Sequence, residues 1–101
     1  MRIKFSVTET SLGAGGFSAV QVSDGPVWQG IKFRDGEGIF IFDDRLKSFV
    51  IRLQAQGQVG GSVEVKAFIE NQDEAKKTLK IQVEDGEEGT RIVDYVVVKL
   101  I

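Results

Sequence analysis

Apolar and polar residues alternate with a period of two along most of this chain. Ile3, Phe5 and Val7 alternate with Lys4, Ser6 and Thr8, and the same period returns with varying regularity at 17–22, 27–34, 49–55, 63–70 and 79–84. Because successive side chains of a β-strand point to opposite faces, this period predicts strands. Two further candidates, 38–43 and 91–101, contain apolar runs that do not alternate. Together they make about eight short strands, the number and spacing typical of a β-sandwich or barrel.

Turn residues separate these candidate strands. Asp24-Gly25, Asp35-Gly36 and Asp85-Gly86 are turn dipeptides, since glycine accepts a positive φ and aspartate bonds to its own backbone. The one helix candidate, 71–77, is too short to be stable alone. We therefore predict an all-β fold over residues 1–101: a single antiparallel β-sandwich of about eight strands, jelly-roll or immunoglobulin-like, with little or no helix.

The composition argues against several classes of function. The 13 Lys and Arg residues are scattered among 15 Asp and Glu residues, and the net charge is −2. A nucleic-acid-binding protein usually concentrates positive charge on one surface, so we expect no nucleic-acid partner. The chain has no apolar signal segment at its start and no run long enough to cross a membrane. We expect no membrane partner, and the sequence leaves the cellular location open.

The chain contains neither histidine nor cysteine. Disulfides, thiolate metal sites and the Ser-His-Asp and Cys-His arrangements are thereby excluded within one chain. Carboxylate chemistry, a Ser–Lys pair or a hard-metal site would be needed for catalysis. We predict a protein that is not an enzyme and that carries no cofactor.

Acidic residues cluster at 43–44 and at 84–88. Paired carboxylates serve glycosidases, but a sugar groove usually needs more Trp and Tyr than the one of each found here. Solvated acidic turns are the favoured interpretation. A weak calcium-loop candidate consists of Glu84, Asp85, Glu87 and Glu88, whose spacing does not match an EF-hand.

The glycine run Gly13-Ala14-Gly15-Gly16 suggests a phosphate-binding loop at first sight. Such a loop leads into a helix and carries a Lys followed by Ser or Thr, whereas this run leads into a predicted strand and has neither residue. We therefore interpret it as a flexible or tightly packed glycine loop.

The surplus of apolar residues is the best functional clue. Residues 38–42 and 95–98 are apolar on both strand faces, although a single core takes up only one face of each sheet. Single apolar residues also fall on otherwise polar faces. A covering loop or a β-bulge explains any one of them, but the joint surplus favours contact with another molecule. We predict that seven residues face a partner: Trp28, Phe40, Phe42, Val50, Phe68, Tyr95 and Val97.

These observations predict a non-catalytic structural protein that acts through subunit contacts, as a homo-oligomer or within a larger assembly. A small virion component, such as a phage capsid decoration or tail protein, fits this description. The alternative is a carbohydrate-binding module of the β-sandwich type, with Trp28 and Tyr95 as a stacking platform and calcium in the acidic loop.

Overall fold

The computed structural model describes residues 1–43, 45–84 and 92–99, with the side chains of 92–95 outside that description. It contains eight strands: β1 Arg2–Thr10, β2 Phe17–Ser23, β3 Gln29–Gly30, β4 Glu37–Ile41, β5 Ser48–Gln56, β6 Ser62–Ile69, β7 Lys77–Gln82 and β8 Ile92–Lys99. The described residues include no helix, and the part of 71–77 that precedes β7 consists of turns and bends. The predicted all-β fold is confirmed.

The strands form two antiparallel sheets of four strands each. The first sheet has the order β4-β1-β6-β7 and the second has the order β3-β2-β5-β8. The two sheets pack face to face in a body measuring 42 × 27 × 19 Å. This arrangement is consistent with the predicted β-sandwich.

The inward residues of the long strands build the core. Ile3 and Phe5 of β1 face Phe49, Ile51 and Leu53 of β5, and all five are almost completely buried. The ring of Phe5 meets the ring of Phe49 edge to face, with centroids 6.2 Å apart. The alternation read from the sequence is therefore the burial pattern of these strands, and their opposite faces are left for contact with solvent or a partner.

The segment 27–34 is less regular than its apolar pattern predicts. Only Gln29–Gly30 forms a strand, because the chain here passes from the second sheet to the first. The Ile31 amide donates to the Val20 carbonyl in the second sheet, whereas Arg34 pairs with Glu37 at the start of β4. Asp35 and Gly36, predicted as a turn dipeptide, both have positive φ, as a two-residue hairpin turn requires.

The orientation of β4 corrects two of the predicted contact residues. Phe42 is only 3% exposed and stacks on Phe49, with ring centroids 4.6 Å apart. Phe40 is half-buried and packs against the same core, with its ring centroid 4.7 Å from that of Phe42. Both phenylalanines point inward, so the outward residues of β4 are instead Ile39 and Ile41, which are 51% and 70% exposed. Sequence alone did not settle this orientation because both faces of the strand are apolar.

Candidate functional site

The outward faces of the two sheets differ in charge. Among the described side chains, the outer face of the second sheet carries only two charged residues, Arg52 and Lys99. Its other members are Phe17, Ala19, Gln21, Ser23, Ser48, Val50, Gln54, Gln56 and Val97. The outer face of the first sheet carries six charged residues, Arg2, Lys4, Glu37, Glu64, Lys66 and Lys80. Protein interfaces are depleted of Lys, Asp and Glu at their centres and enriched in aromatic residues and Arg. The second sheet's outer face has this composition.

A cluster of Trp28, Arg52 and Gln21 occupies this face. Gln21 of β2 and Arg52 of β5 are direct cross-strand neighbours. Arg52 Nε donates to Gln21 Oε1 over 2.6 Å, and Arg52 Nη2 donates to the same oxygen. The Arg52 guanidinium carbon also lies 4.3 Å from the centroid of the half-buried Trp28 ring. The hydrogen bonds and the cation–π contact hold the guanidinium in one orientation and cover part of the indole.

This cover bears on the carbohydrate alternative. A stacking platform needs an aromatic face on which a pyranose ring can lie. The Arg52 guanidinium occupies one face of the Trp28 ring. Tyr95, the other proposed platform residue, pairs in register with Arg52, but its side chain lies outside the described residues. The arrangement does not favour a sugar platform built on Trp28.

Aliphatic groups lie next to the cluster. Val50 of β5 is half-buried and stands opposite Val97 of β8, which is 58% exposed. Phe17 is 41% exposed and stands opposite Gln56 at the other end of the face. The face thus combines apolar side chains with neutral amides. Such a surface is cheaper to desolvate than one carrying many charges.

On the outer face of the first sheet, charged side chains accompany the apolar ones. The Lys4 ammonium lies 5.0 Å from the ring centroid of the half-buried Phe68. Arg2 and Glu70 form an exposed ion pair at 3.8 Å, and Lys66 and Glu64 form another at 3.8 Å. A shallow depression of about 160 Å³ lies beside Phe68 and Ile39. This face is mostly solvated, with apolar groups concentrated near β4.

The glycine loop is packed around a buried leucine. Leu12 is 6% exposed, and a Cβ built on Gly16, Gly57 or Gly61 would lie 2.6–2.7 Å from atoms of Leu12 or Ser11. These glycines allow two loops to close over the Leu12 side chain. Of the two interpretations of the run 13–16, flexible or tightly packed, the close contact of Gly16 with Leu12 favours the second.

The acidic candidates have little described structure around them. Asp43 is exposed and accepts hydrogen bonds from the Arg45 side chain and backbone amide. These contacts, with a smaller contribution from the N-terminal ammonium, lower the pKa of the Asp43 carboxyl. Of the calcium-loop candidates only Glu84 is described, and it is exposed. Asp85, Glu87 and Glu88 lie outside the described residues. Within the described part of the chain, no three acidic side chains lie close enough to hold a metal ion.

The structure brings three of the seven predicted contact residues to one face. Trp28, Val50 and Val97 lie on or beside the outer face of the second sheet, whereas Phe68 lies on the first sheet. Sequence reasoning missed Ile39, Ile41 and Phe17, and it missed Arg52 and Gln21 because both resemble ordinary solvated residues of a strand. The sequence places Gln21 and Arg52 each on the polar face of its own strand. The two side chains become neighbours only when β2 pairs with β5.

No family model matches the sequence, no curated protein matches it, and no solved structure matches the fold. No helix in the described ranges is long and apolar enough to cross a bilayer.

Proposed function

We propose that this chain is a non-catalytic structural protein that works by contact, and that the outer face of its second sheet is covered by a neighbouring protein subunit. The observation that carries the proposal is the composition of that face. Trp28, Val50 and Val97 lie together there, and its described side chains include only Arg52 and Lys99 as charged groups.

The physical reason is the balance between burial and desolvation. Covering a large apolar side chain contributes roughly 1.5–3 kcal/mol, whereas burying an unpaired charge costs several kcal/mol. The second sheet's outer face offers apolar area with one central charge, and that charge already bonds to Gln21 and stacks on Trp28. The charged outer face of the first sheet would lose more hydration on contact.

The size of the face is also adequate for a subunit contact. The two longer axes of the molecule measure 42 and 27 Å, so a broad face of the sandwich approaches the roughly 800 Å² per partner of a standard interface. An assembly that repeats this contact would cover Val50, Val97 and the exposed part of Trp28. A virion subunit is one protein of this class.

Sedimentation velocity tests the proposal on the whole chain. We expect the mass to rise above that of a monomer between low and high micromolar concentrations, with a blue shift of Trp28 fluorescence. Val97→Lys should lower the mass of the assembly, because it places a charge in the covered face. Since Val97 is 58% exposed, the same change should alter the stability of the monomer by no more than about 0.5 kcal/mol.

Thr78→Lys is the matched control. Thr78 is exposed on β7, on the outer face of the first sheet, and receives the same added charge. It should leave assembly unchanged. A wild-type chain that stays monomeric throughout this concentration range, or a Val97→Lys variant that assembles as well as Thr78→Lys, would contradict the proposal.

A further inference from the structure

The edge strand β4 has backbone groups that point away from its sheet. The Phe42 amide donates to the Met1 carbonyl, and the Val7 amide donates to the Gly36 carbonyl, so the backbone groups of the even-numbered residues of this strand face β1. Hydrogen-bonded and non-hydrogen-bonded pairs alternate in an antiparallel ladder. The N–H and C=O groups of Ile39 and Ile41 therefore face the free edge. Among the described residues, none bonds to them there.

The free edge has a definite length. Glu37 is already paired across this edge, because its amide and carbonyl bond to Arg34 in the hairpin that begins β4. At the other end the chain leaves the strand after Phe42 in a turn closed by a bond from the Leu46 amide to the Asp43 carbonyl. The stretch 38–42 between these points contains no charged residue.

Two of the other three edges carry protection that β4 lacks, and the remaining edge strand, β8, ends in the charged Lys99. Native sheets guard their edges with lysines or with very short strands. The edge strand β7 carries Lys77 and Lys80, and β3 has only two residues. On β4 the side chains beside the free backbone groups are Ile39 and Ile41, which are 51% and 70% exposed. An exposed, uncharged, β-branched edge of this kind is suited to accept another strand.

The sequence of the edge is complementary to itself. If two copies pair antiparallel about a two-fold axis through Phe40, Ile39 of each copy lies opposite Ile41 of the other, and both residues have their bonding groups on the free edge. Four backbone hydrogen bonds then form, and four isoleucine side chains gather on one face. The axis makes the contact closed, so pairing ends at two copies.

Charges at the ends of the edge fit the same occupant. The pairing brings the Asp43 and Arg45 end of one copy to the Arg34 and Glu37 end of the other. Among the described side chains, one end carries Asp43 and Arg45 and the other carries Arg34, Asp35 and Glu37, and all five are exposed. Each end thus presents both charge signs to the other copy, which suits a second copy better than a partner of one charge sign.

We propose that two copies of this chain join edge to edge through β4, with Ile39 opposite Ile41, so that their first sheets become one continuous sheet of eight strands. The edge pairing names one partner and one mode of contact for the proposed function. It rests on that function only for the assumption that the chain associates with itself. The outer face of the second sheet stays available for another subunit.

Amide hydrogen exchange as a function of concentration tests the proposal. In the monomer, the Ile39 and Ile41 amides should exchange rapidly while those of Phe40 and Phe42, bonded to β1, are protected. As the concentration rises, protection should spread to Ile39 and Ile41. If the chain associates while these two amides stay unprotected, the edge pairing is wrong and the contact lies elsewhere, which leaves the proposed function standing.

Proline substitution gives a second readout. Ile41→Pro removes an edge-facing N–H donor without removing a bond to β1. Because of the two-fold axis, the dimer loses two hydrogen bonds. We expect its dissociation constant to rise by about tenfold or more. Ile41→Lys, which keeps the backbone donor and adds an edge charge, should weaken the dimer in the same direction even if the proline variant folds poorly.

Lys80→Pro on the opposite edge is the matched control and should leave the dimer intact. Concentration-dependent protection of the Ile39 amide that survives Ile41→Lys, or that is lost equally in Lys80→Pro, would overturn the edge pairing. If the Ile39 and Ile41 amides gain protection but Val97→Lys has no effect on mass, the edge contact holds and the proposed use of the second sheet's face fails.

Discussion

At the scale of single residues, the glycines around Leu12 have a packing role. Gly57 has no room for a side chain, since a Cβ there would lie 2.7 Å from the Leu12 carbonyl oxygen and 3.0 Å from its Cα. Both atoms belong to the backbone, so they cannot move aside as the end of a flexible side chain could. The glycines are therefore needed for packing.

Replacing Gly57 should therefore be costly. Gly57→Ala is expected to lower the free energy of unfolding by about 1–3 kcal/mol, the usual cost of overpacking. Gly25→Ala is the matched control, because a Cβ there meets nothing within 4 Å. Chemical denaturation of both variants measures the difference. Equal stability of the two would show that the loop accommodates the methyl group.

Asp43 gives a pH-dependent prediction at the same scale. Its pKa is lowered chiefly by the hydrogen bond from the Arg45 side chain, and then by the bond from the Arg45 amide. A lowered folded-state pKa means that Asp43 supports folding above its unfolded pKa, and that this support is lost as the pH falls through the folded value. The effect belongs to the acidic range below about pH 4.

The measurement is an NMR titration of the Asp43 carboxyl group. In Arg45→Gln the side-chain ion pair is gone while the backbone amide remains, so the pKa of Asp43 should rise part of the way toward its ordinary value. An unchanged pKa in the variant would assign the shift to the backbone amide or to the N-terminal ammonium.

At the scale of elements, β4 has apolar side chains on both of its faces, and the two faces have different surroundings. The inward face places Phe42 on Phe49 and Phe40 beside it, whereas the outward face shows Ile39 and Ile41 to solvent. A shift of one residue in the pairing with β1 would exchange these faces. The register Ile3 opposite Phe40 is fixed because Ile3 and Phe5 are themselves core residues.

Truncation of neighbouring β4 residues should separate the two faces. Phe42→Ala is expected to lower the free energy of unfolding by about 3–5 kcal/mol, because it leaves a cavity against Phe49. Ile41→Ala removes an exposed side chain and should change monomer stability by no more than about 0.5 kcal/mol. Thermal unfolding at low protein concentration measures both. Similar losses for both variants would indicate a different register.

At the scale of the whole molecule, the two outer faces of the sandwich are unequal. Among the described side chains, charges are frequent on the first and sparse on the second, while the core between them is continuous. A contact through the second face, or through the uncharged edge of β4, gains most of its free energy from apolar burial and backbone bonding. Neither source depends strongly on ionic strength.

Association should therefore persist in salt. At about 1 M salt, where the screening length is about 3 Å, we expect the dissociation constant measured by sedimentation to change by less than about threefold from its value at low salt. Raising salt should matter only for the exposed charges at the ends of the β4 edge. Dissociation on adding salt would indicate a contact made by charged residues, such as those of the first sheet's outer face.

Much of the fold could be predicted from the sequence, because strand alternation is a local property. Ile3 and Phe5, Phe49 to Ala55, and Val63 to Ala67 are buried on the faces that their spacing indicates. The turn at Asp35-Gly36 was predictable from the φ angles that these residues tolerate. The order of the strands was not, since β1 pairs with β4 and β6 through contacts between distant parts of the chain.

The sequence by itself determined that the chain forms strands, that it lacks the residues for histidine or cysteine chemistry, and that it holds more apolar side chains than strict alternation requires. Only the tertiary structure decided which of these side chains face outward. Phe40 and Ile41 are equally apolar, and their fates differ because the pairing of β4 with β1 turns one toward Phe42 and the core and the other toward solvent. Likewise, one cluster of Gln21, Trp28 and Arg52 forms only when β2 pairs with β5. A side-chain contact across a sheet depends on the register of the strands, which local periodicity does not reveal.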